Sequence, residues 1–165
     1  MGKVAAIGGG SHSSFGLWRD KLTPFTDSIE PLYLLEGGAP DVPSALADTD
    51  MGWVPGGDAR LLLSTWHKTG VDRALRRAFR RGVVMSGRSA GANCWFSYSL
   101  GAEPPRRSAR FFSYRRNRGL GLVGTTLCTH YLDRREGFRY LSPNASLCGH
   151  SSLVTLRIFT GSQPI

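Results

Sequence analysis

The stretch Gly82–Phe96, GVVMSGRSAGANCWF, decides the fold. Val83, Val84 and Met85 form a short apolar run suited to a buried strand. Gly87-Arg88-Ser89-Ala90-Gly91 follows at once, and Ala92–Phe96 reads as helix. The pattern is strand, tight turn, helix, with a serine at the tip and a glycine two residues to either side. That is the signature of a nucleophile elbow. Its glycines have a steric reason. A sharp strand-to-helix turn strains the central residue and crowds the neighbouring backbone, so a flanking side chain would clash. The turn lifts the Ser89 hydroxyl above the sheet edge and aims the first helical amides at whatever the hydroxyl attacks.

Working outward, 165 residues predict one domain with a real core. An apolar fraction of 41% and a charged fraction of 20% are ordinary for a globular chain. No stretch approaches the roughly 20 apolar residues of a membrane span. Met1–Gly10 is too short in apolar residues for a secretory signal, so a cytoplasmic location is expected. Cys94, Cys128 and Cys148 are odd in number and widely spaced, which suits a reducing compartment. None of them has zinc-ligand spacing, so no metal is expected. The net charge is +9, much of it arginine within residues 73–81, 106–118 and 134–139. Such an excess suits nucleic acid, acidic substrates or solvated helix faces. Arg76, Arg77, Arg80 and Arg81 fall on the polar side of a helix, which favours the last.

Lys3–Ile7 reads as a first strand ended by Gly8-Gly9-Gly10, and residues 11–27 as a helix. Pro31–Leu35 is a second strand, Gly37–Pro43 a loop, and Met51–Val54 a third strand running into the turn Pro55-Gly56-Gly57-Asp58. Asp58 is placed to cap a helix from Ala59 to Trp66. Val71, Ala74, Leu75, Ala78 and Phe79 form the apolar stripe of a second helix, which Gly82 stops. Glu103–Arg118 reads as a basic loop, Leu127–Tyr131 as a strand carrying His130, and residues 133–141 as a charged helix. Leu153–Phe159 holds at most one more strand. Alternating strands and helices predict a parallel α/β sheet with its site at the carboxyl ends of the strands.

A serine hydroxyl needs a base within hydrogen-bond reach, and that base an orienting acceptor. His130 is the best-placed base, because it ends a strand on the same sheet edge as the elbow. His12 stands near the first glycine turn, His67 in a helix and His150 in the tail. Glu103, Asp133 and Asp58 are the candidate acids, and sequence does not choose among them. An oxyanion hole needs two backbone donors. The Ala90 amide is one, and Gly56 or Gly57 offers the second. Arg88, beside the nucleophile, and Asp58, at the second turn, are expected substrate contacts, and Arg60 stands close by.

Three blocks in order resemble the peptidase E family, serine dipeptidases whose best-known members cleave after an amino-terminal aspartate. They are residues 47–58, ADTDMGWVPGGD; residues 70–96, which hold the helix, strand and Ser-Ala-Gly elbow with Cys-Trp-Phe after it; and Gly119-Leu120-Gly121-Leu122 through Cys128-Thr129-His130-Tyr131. The opening Ile7-Gly8-Gly9-Gly10 fits as well. The resemblance implies a three-layer α/β sandwich with a mostly parallel sheet, like that of class I glutamine amidotransferases. It implies Ser89 as nucleophile, His130 as base, an oxyanion hole at Gly56-Gly57 and Ala90, a short peptide as substrate, and no metal or cofactor.

The departures are specific. Thr129 stands where the family has proline, and Glu103 is only the nearest acid to the place where relatives carry one. Between Gly10 and Asp48 the chain lacks a strand and a helix, and after Leu141 the closing strands are not found. The expected architecture is therefore an incomplete version of the fold, with residues 1–141 as the α/β domain and 142–165 as a divergent tail. The competing expectation is an impaired scaffold that serves as a binding module. It would touch nucleic acid through residues 106–118, where Phe111, Phe112 and Tyr114 interleave with arginines.

Overall fold

Glycine-bounded apolar runs become the strands of a parallel sheet. The computed structural model describes residues 2–8, 19–34, 41–103, 113–130, 147–148 and 153–156. In it β1 (Gly2–Gly8), β2 (Thr26–Tyr33), β3 (Met51–Val54) and β4 (Val84–Arg88) run parallel in the order β2-β1-β3-β4. β9 (Leu153–Leu156) pairs antiparallel with β4 and covers that edge. A second sheet, ordered β6-β5-β7-β8, contains β5 (Phe96–Glu103), β6 (Ser113–Arg118), β7 (Val123–Cys128) and β8 (Leu147–Cys148). Here β5 is antiparallel to β6 and parallel to β7. The last two strands, β8 and β9, come from residues beyond Leu141.

Helices α1 (Val42–Ala47), α2 (Ala59–Thr69), α3 (Val71–Arg80) and α4 (Ala90–Asn93) support the sheets. Alternation along β1 shows how the layers arise. Ala5 and Ile7 join the main core with α1, α2, α3 and α4, while Val4 and Ala6 pack on the other face with Trp53, Leu22 and Ile29. The whole stripe of α3 is buried as its spacing predicts. Trp66 of α2 and Trp95 after α4 are both fully buried and stack with ring centroids 5.7 Å apart. Truncating either to alanine costs about 3–5 kcal/mol. Gly70, at φ +76°, ends α2 and opens α3.

Several expected elements shift, each for a physical reason. The helix read over residues 11–27 covers 19–22 among the described residues, then tightens into a 3-10 turn at Thr23–Phe25. Pro24 supports that turn, and β2 starts at Thr26, upstream of the strand expected at Pro31. Pro31 is tolerated because β2 is an edge strand. Of the loop expected over Gly37–Pro43, the described residues 41–43 open α1, whose cap is the Asp41 side chain accepting from the Ser44 amide.

The helix expected to run to Phe96 stops at Asn93. The carbonyls of Cys94, Trp95 and Phe96 are taken by the amides of Leu120, Leu122 and Gly121, so they cannot continue a helical ladder. Of the basic loop expected over Glu103–Arg118, the described residues are strand: β5 ends at Glu103 and pairs antiparallel with β6, which begins at Ser113. Its charges suit an exposed edge strand. The helix expected over 133–141 lies outside the described residues.

Candidate active site

β4 delivers Ser89 at the sheet's carboxyl edge, and the local backbone holds it in a costly conformation. Ser89 has φ +51° and ψ −113°. A non-glycine residue there stores on the order of 1–3 kcal/mol. The flanking glycines make the turn possible. A Cβ on Gly87 would stand 2.6 Å from the Gly91 carbonyl carbon, and one on Gly91 would stand 2.2 Å from the Val54 oxygen. The elbow is thus clamped between its own helix and the end of β3.

The Ser89 hydroxyl lies 2.9 Å from Nε2 of His130. His130 follows the end of β7 by two residues and is itself left-handed, at φ +56°. The residues meet across the two sheets: β4 leads into α4, α4 into β5, and β5 pairs with β7. Both members of the pair therefore sit in strained backbone at the ends of strands. An imidazole nitrogen at this distance is in reach of the hydroxyl proton.

The Gly56-Gly57 turn stands against the elbow. A Cβ on Gly56 would lie 3.5 Å from the Ser89 Cβ, and Gly57 is at φ +140° with open space around it. Asp58 caps α2 as the sequence predicts, accepting from the amides of Arg60 and Leu61 at 2.8 and 3.3 Å. Gly57, Asp58, Arg60, Ala90 and Ser89 share one cleft of about 220 Å³.

The rest of the cleft lining comes from residues the sequence reading missed. The β5–β6 pair supplies Leu100, Gly101, Arg115 and Asn117, and α4 supplies Asn93. Gly101 makes room: a Cβ there would stand 2.5 Å from the Asn117 amide nitrogen. Strand alternation sends Arg115 and Asn117 to the cleft and Arg116 to the other face, where its guanidinium lies 3.8 Å from the centroid of the Tyr98 ring. Only Asn93 carried a usable signal, since it lies four residues after Ser89 on the same helix. The β5 and β6 residues needed the pairing of two strands that sequence did not reveal.

The other candidates are placed as follows. Arg88 is an exposed residue at the end of β4, paired in register with Leu153, and is not among the residues that line this cleft. Glu103 ends β5 opposite Ser113, and its side chain lies outside the described residues. His67 is an exposed residue 3.5 Å from Asp72. His12, Asp133, His150, Phe111 and Phe112 lie outside the described residues. Burial pushes the Cys94 thiol far up, with the Asp58 charge adding to the effect, so this cysteine stays protonated beside the elbow. Among the described residues, no helix is long and apolar enough to cross a membrane, and no group of three or more His, Cys, Asp or Glu residues is arranged to hold a metal ion.

Comparison with known proteins gives the family and the fold. The profile of peptidase family S51 matches residues 19–148. "Uncharacterized peptidase YgaJ" of Bacillus subtilis (strain 168) is 35% identical over 121 residues, 71% of this chain and 49% of the relative. The chain therefore spans about half the length of that curated relative. Among solved structures, a "Putative Peptidase E Protein" from Listeria monocytogenes EGD-e is similar with a TM-score of 0.59 at 17% identity, over 96% of this chain and 87% of that one. A peptidase from an acI-B1 Actinobacterium is similar with a TM-score of 0.66, also at 17% identity, over 94% and 70%. The structural likeness carries the three-layer α/β fold, and the family profile carries the kinship: this chain belongs to peptidase family S51, the peptidase E family that its elbow and histidine blocks resemble.

Proposed function

We propose that the chain is a serine peptidase of short peptides, with Ser89 as nucleophile and His130 as general base. The observation that carries the reading is the 2.9 Å contact between the Ser89 hydroxyl, held on a strained elbow, and Nε2 of His130. Nε2 takes the hydroxyl proton as Oγ attacks the scissile carbonyl. The amides of Ala90 and Gly57 hold the oxyanion, a contribution of about 100–1,000-fold in kcat per donor. His130 then returns the proton to the leaving amine. Water, deprotonated by the same imidazole, attacks the acyl-enzyme carbonyl, and the C–Oγ bond breaks to free Ser89 and a carboxylic acid.

Glu103 is the proposed acid that orients His130. Its support is register. Ser99 of β5 is level with Leu127 of β7, so Glu103, four residues on, comes to the height of His130, three residues on.

The proposed substrates are Asp-X dipeptides. Arg60 and Arg115 line the cleft and bring two positive charges to it. Cytoplasmic action rests on the odd, widely spaced cysteines and belongs to the same proposal. The test is hydrolysis of Asp-Leu against Ala-Leu and Lys-Leu by wild type and R115A. Preferential cleavage of Asp-Leu, reduced in R115A, supports the specificity. Equal cleavage of all three overturns it, and no cleavage by S89A alone keeps the serine mechanism.

A further inference from the structure

The carboxamide oxygen of Asn93 is buried without a hydrogen-bond partner among the described residues, and Asn93 is 4% exposed. Other buried polar atoms share that condition, including the indole nitrogens of Trp66 and Trp95 and the hydroxyls of Ser99 and Thr129. Among the described residues, Asn93 is the one of them that also lines the cleft beside Ser89. An indole or hydroxyl sealed in a core has no access to a ligand. The Asn93 oxygen is just as buried, but its residue lines the cleft, so a small turn of the carboxamide brings the oxygen to a donor on the ligand.

Geometry says which donor. Asn93 lies one helical turn after Ser89, and its amide donates to the Ser89 carbonyl at 3.0 Å. Helical side chains lean toward the helix N-terminus, which tilts the Asn93 carboxamide back toward the nucleophile. When Ser89 attacks a peptide after its first residue, the α-nitrogen of that residue is two bonds from the attacked carbon. That nitrogen is an ammonium with donors to spare. The carboxylate of Asp58 lines the same cleft and favours a cation there.

We propose that Asn93 is a specificity-determining residue whose carboxamide oxygen accepts a hydrogen bond from the free α-ammonium of the substrate. This assignment rests on the serine-peptidase reading above. It gives a role to an asparagine in an otherwise apolar turn, where Ala90, Ala92 and Cys94 are its buried neighbours. A leucine or alanine there would bury no orphaned acceptor and would pack at less cost.

The experiment compares Asp-Leu with succinyl-Leu, the same molecule without its α-amine. Wild type prefers Asp-Leu in kcat/KM. In N93A that preference falls by about 10–100-fold, the range for a hydrogen bond to a charged group. N93D keeps an acceptor at the position and keeps the preference. A role confined to packing would lower both substrates together and leave the ratio where it was. If turnover is too slow to follow, protection of Ser89 from a fluorophosphonate probe by each compound reads the same ratio. An N93A ratio equal to that of wild type overturns the assignment alone, as does a ratio lost in N93D or equal protection by the two compounds in wild type. Wild-type protein that is folded yet not labelled at Ser89 overturns the serine-peptidase reading, and the assignment with it.

Discussion

Gly91→Ala is the sharpest test of how the elbow is held. The added Cβ would stand 2.2 Å from the Val54 oxygen, 2.6 Å from the Pro55 oxygen and 2.8 Å from the Val54 carbonyl carbon. Carbon–oxygen contacts need about 3.3–3.6 Å, so α4 and the end of β3 must separate by about 1 Å. The clashing atoms are all backbone, and no side chain can swing aside to absorb the strain. Overpacking of this kind costs about 3 kcal/mol or more. For a chain of this size that lowers the melting temperature by roughly 6–12 °C. The displaced segment leads into the Gly56-Gly57 turn that faces Ser89. A shift near 1 Å there lowers the rate of acylation about 100-fold. Gly124→Ala is the control, because its Cβ would meet nothing within 4 Å and its φ is not positive. The assays are thermal melting followed by circular dichroism and the rate of fluorophosphonate labelling. A Gly91→Ala protein that melts within 2 °C of wild type (about 1 kcal/mol or less) and labels at the wild-type rate would refute the clamp.

Two further perturbations follow from the same contacts. Asp58→Ala removes the cap of α2, which accepts from two amides, and lowers stability by about 1 kcal/mol, whereas Asp58→Asn retains most of it. Urea midpoints of the two variants check the difference, and equal midpoints for alanine and asparagine would contradict the capping role. Burial raises the Cys94 thiol above its ordinary value of 9.0. Below that pH the thiol is neutral in both the folded and the unfolded chain, and its contribution is fully present. Above it the unfolded chain releases the proton while the folded chain holds it, so stability falls by about 1.4 kcal/mol per pH unit. Cys94→Ala removes this slope, and parallel stability curves for variant and wild type between pH 9 and 10.5 (a range in which the wild type should lose about 2 kcal/mol more) would contradict it.

The elbow was legible because its constraint is local. A turn that presses Gly91 onto β3 and Gly87 onto Gly91 leaves no choice of residue, and the chain writes that constraint at fixed spacing. His130 was legible because it closes an apolar strand on the matching sheet edge. The apolar stripe of α3 was equally plain. The β5–β6 pairing was not, and for a physical reason. Cys94-Trp95-Phe96 continues the apolar pattern of a helix, and only hydrogen bonds from Leu120, Gly121 and Leu122 end it. β6 carries Arg115, Arg116 and Arg118, so its strand character comes from pairing with β5 and leaves no apolar alternation to read. Part of the cleft lining depends on that pairing. Arg115 and Asn117 were therefore invisible as site residues, while Arg88 was conspicuous by its place beside the serine. β9 was only a faint apolar run, and its place against β4 comes from tertiary pairing, including the 2.8 Å contact between the Ser86 and Thr155 hydroxyls.

The central claim is that Ser89 and His130 form one nucleophilic unit. It is tested most directly by fluorophosphonate labelling of purified protein, with the modified residue located by mass spectrometry. The account predicts a single adduct on Ser89, absent in S89A and slowed by about 100-fold or more in H130A, while both variants keep the wild-type melting temperature within a few degrees. Labelling that survives in H130A at the wild-type rate, or an adduct on another serine, would contradict it.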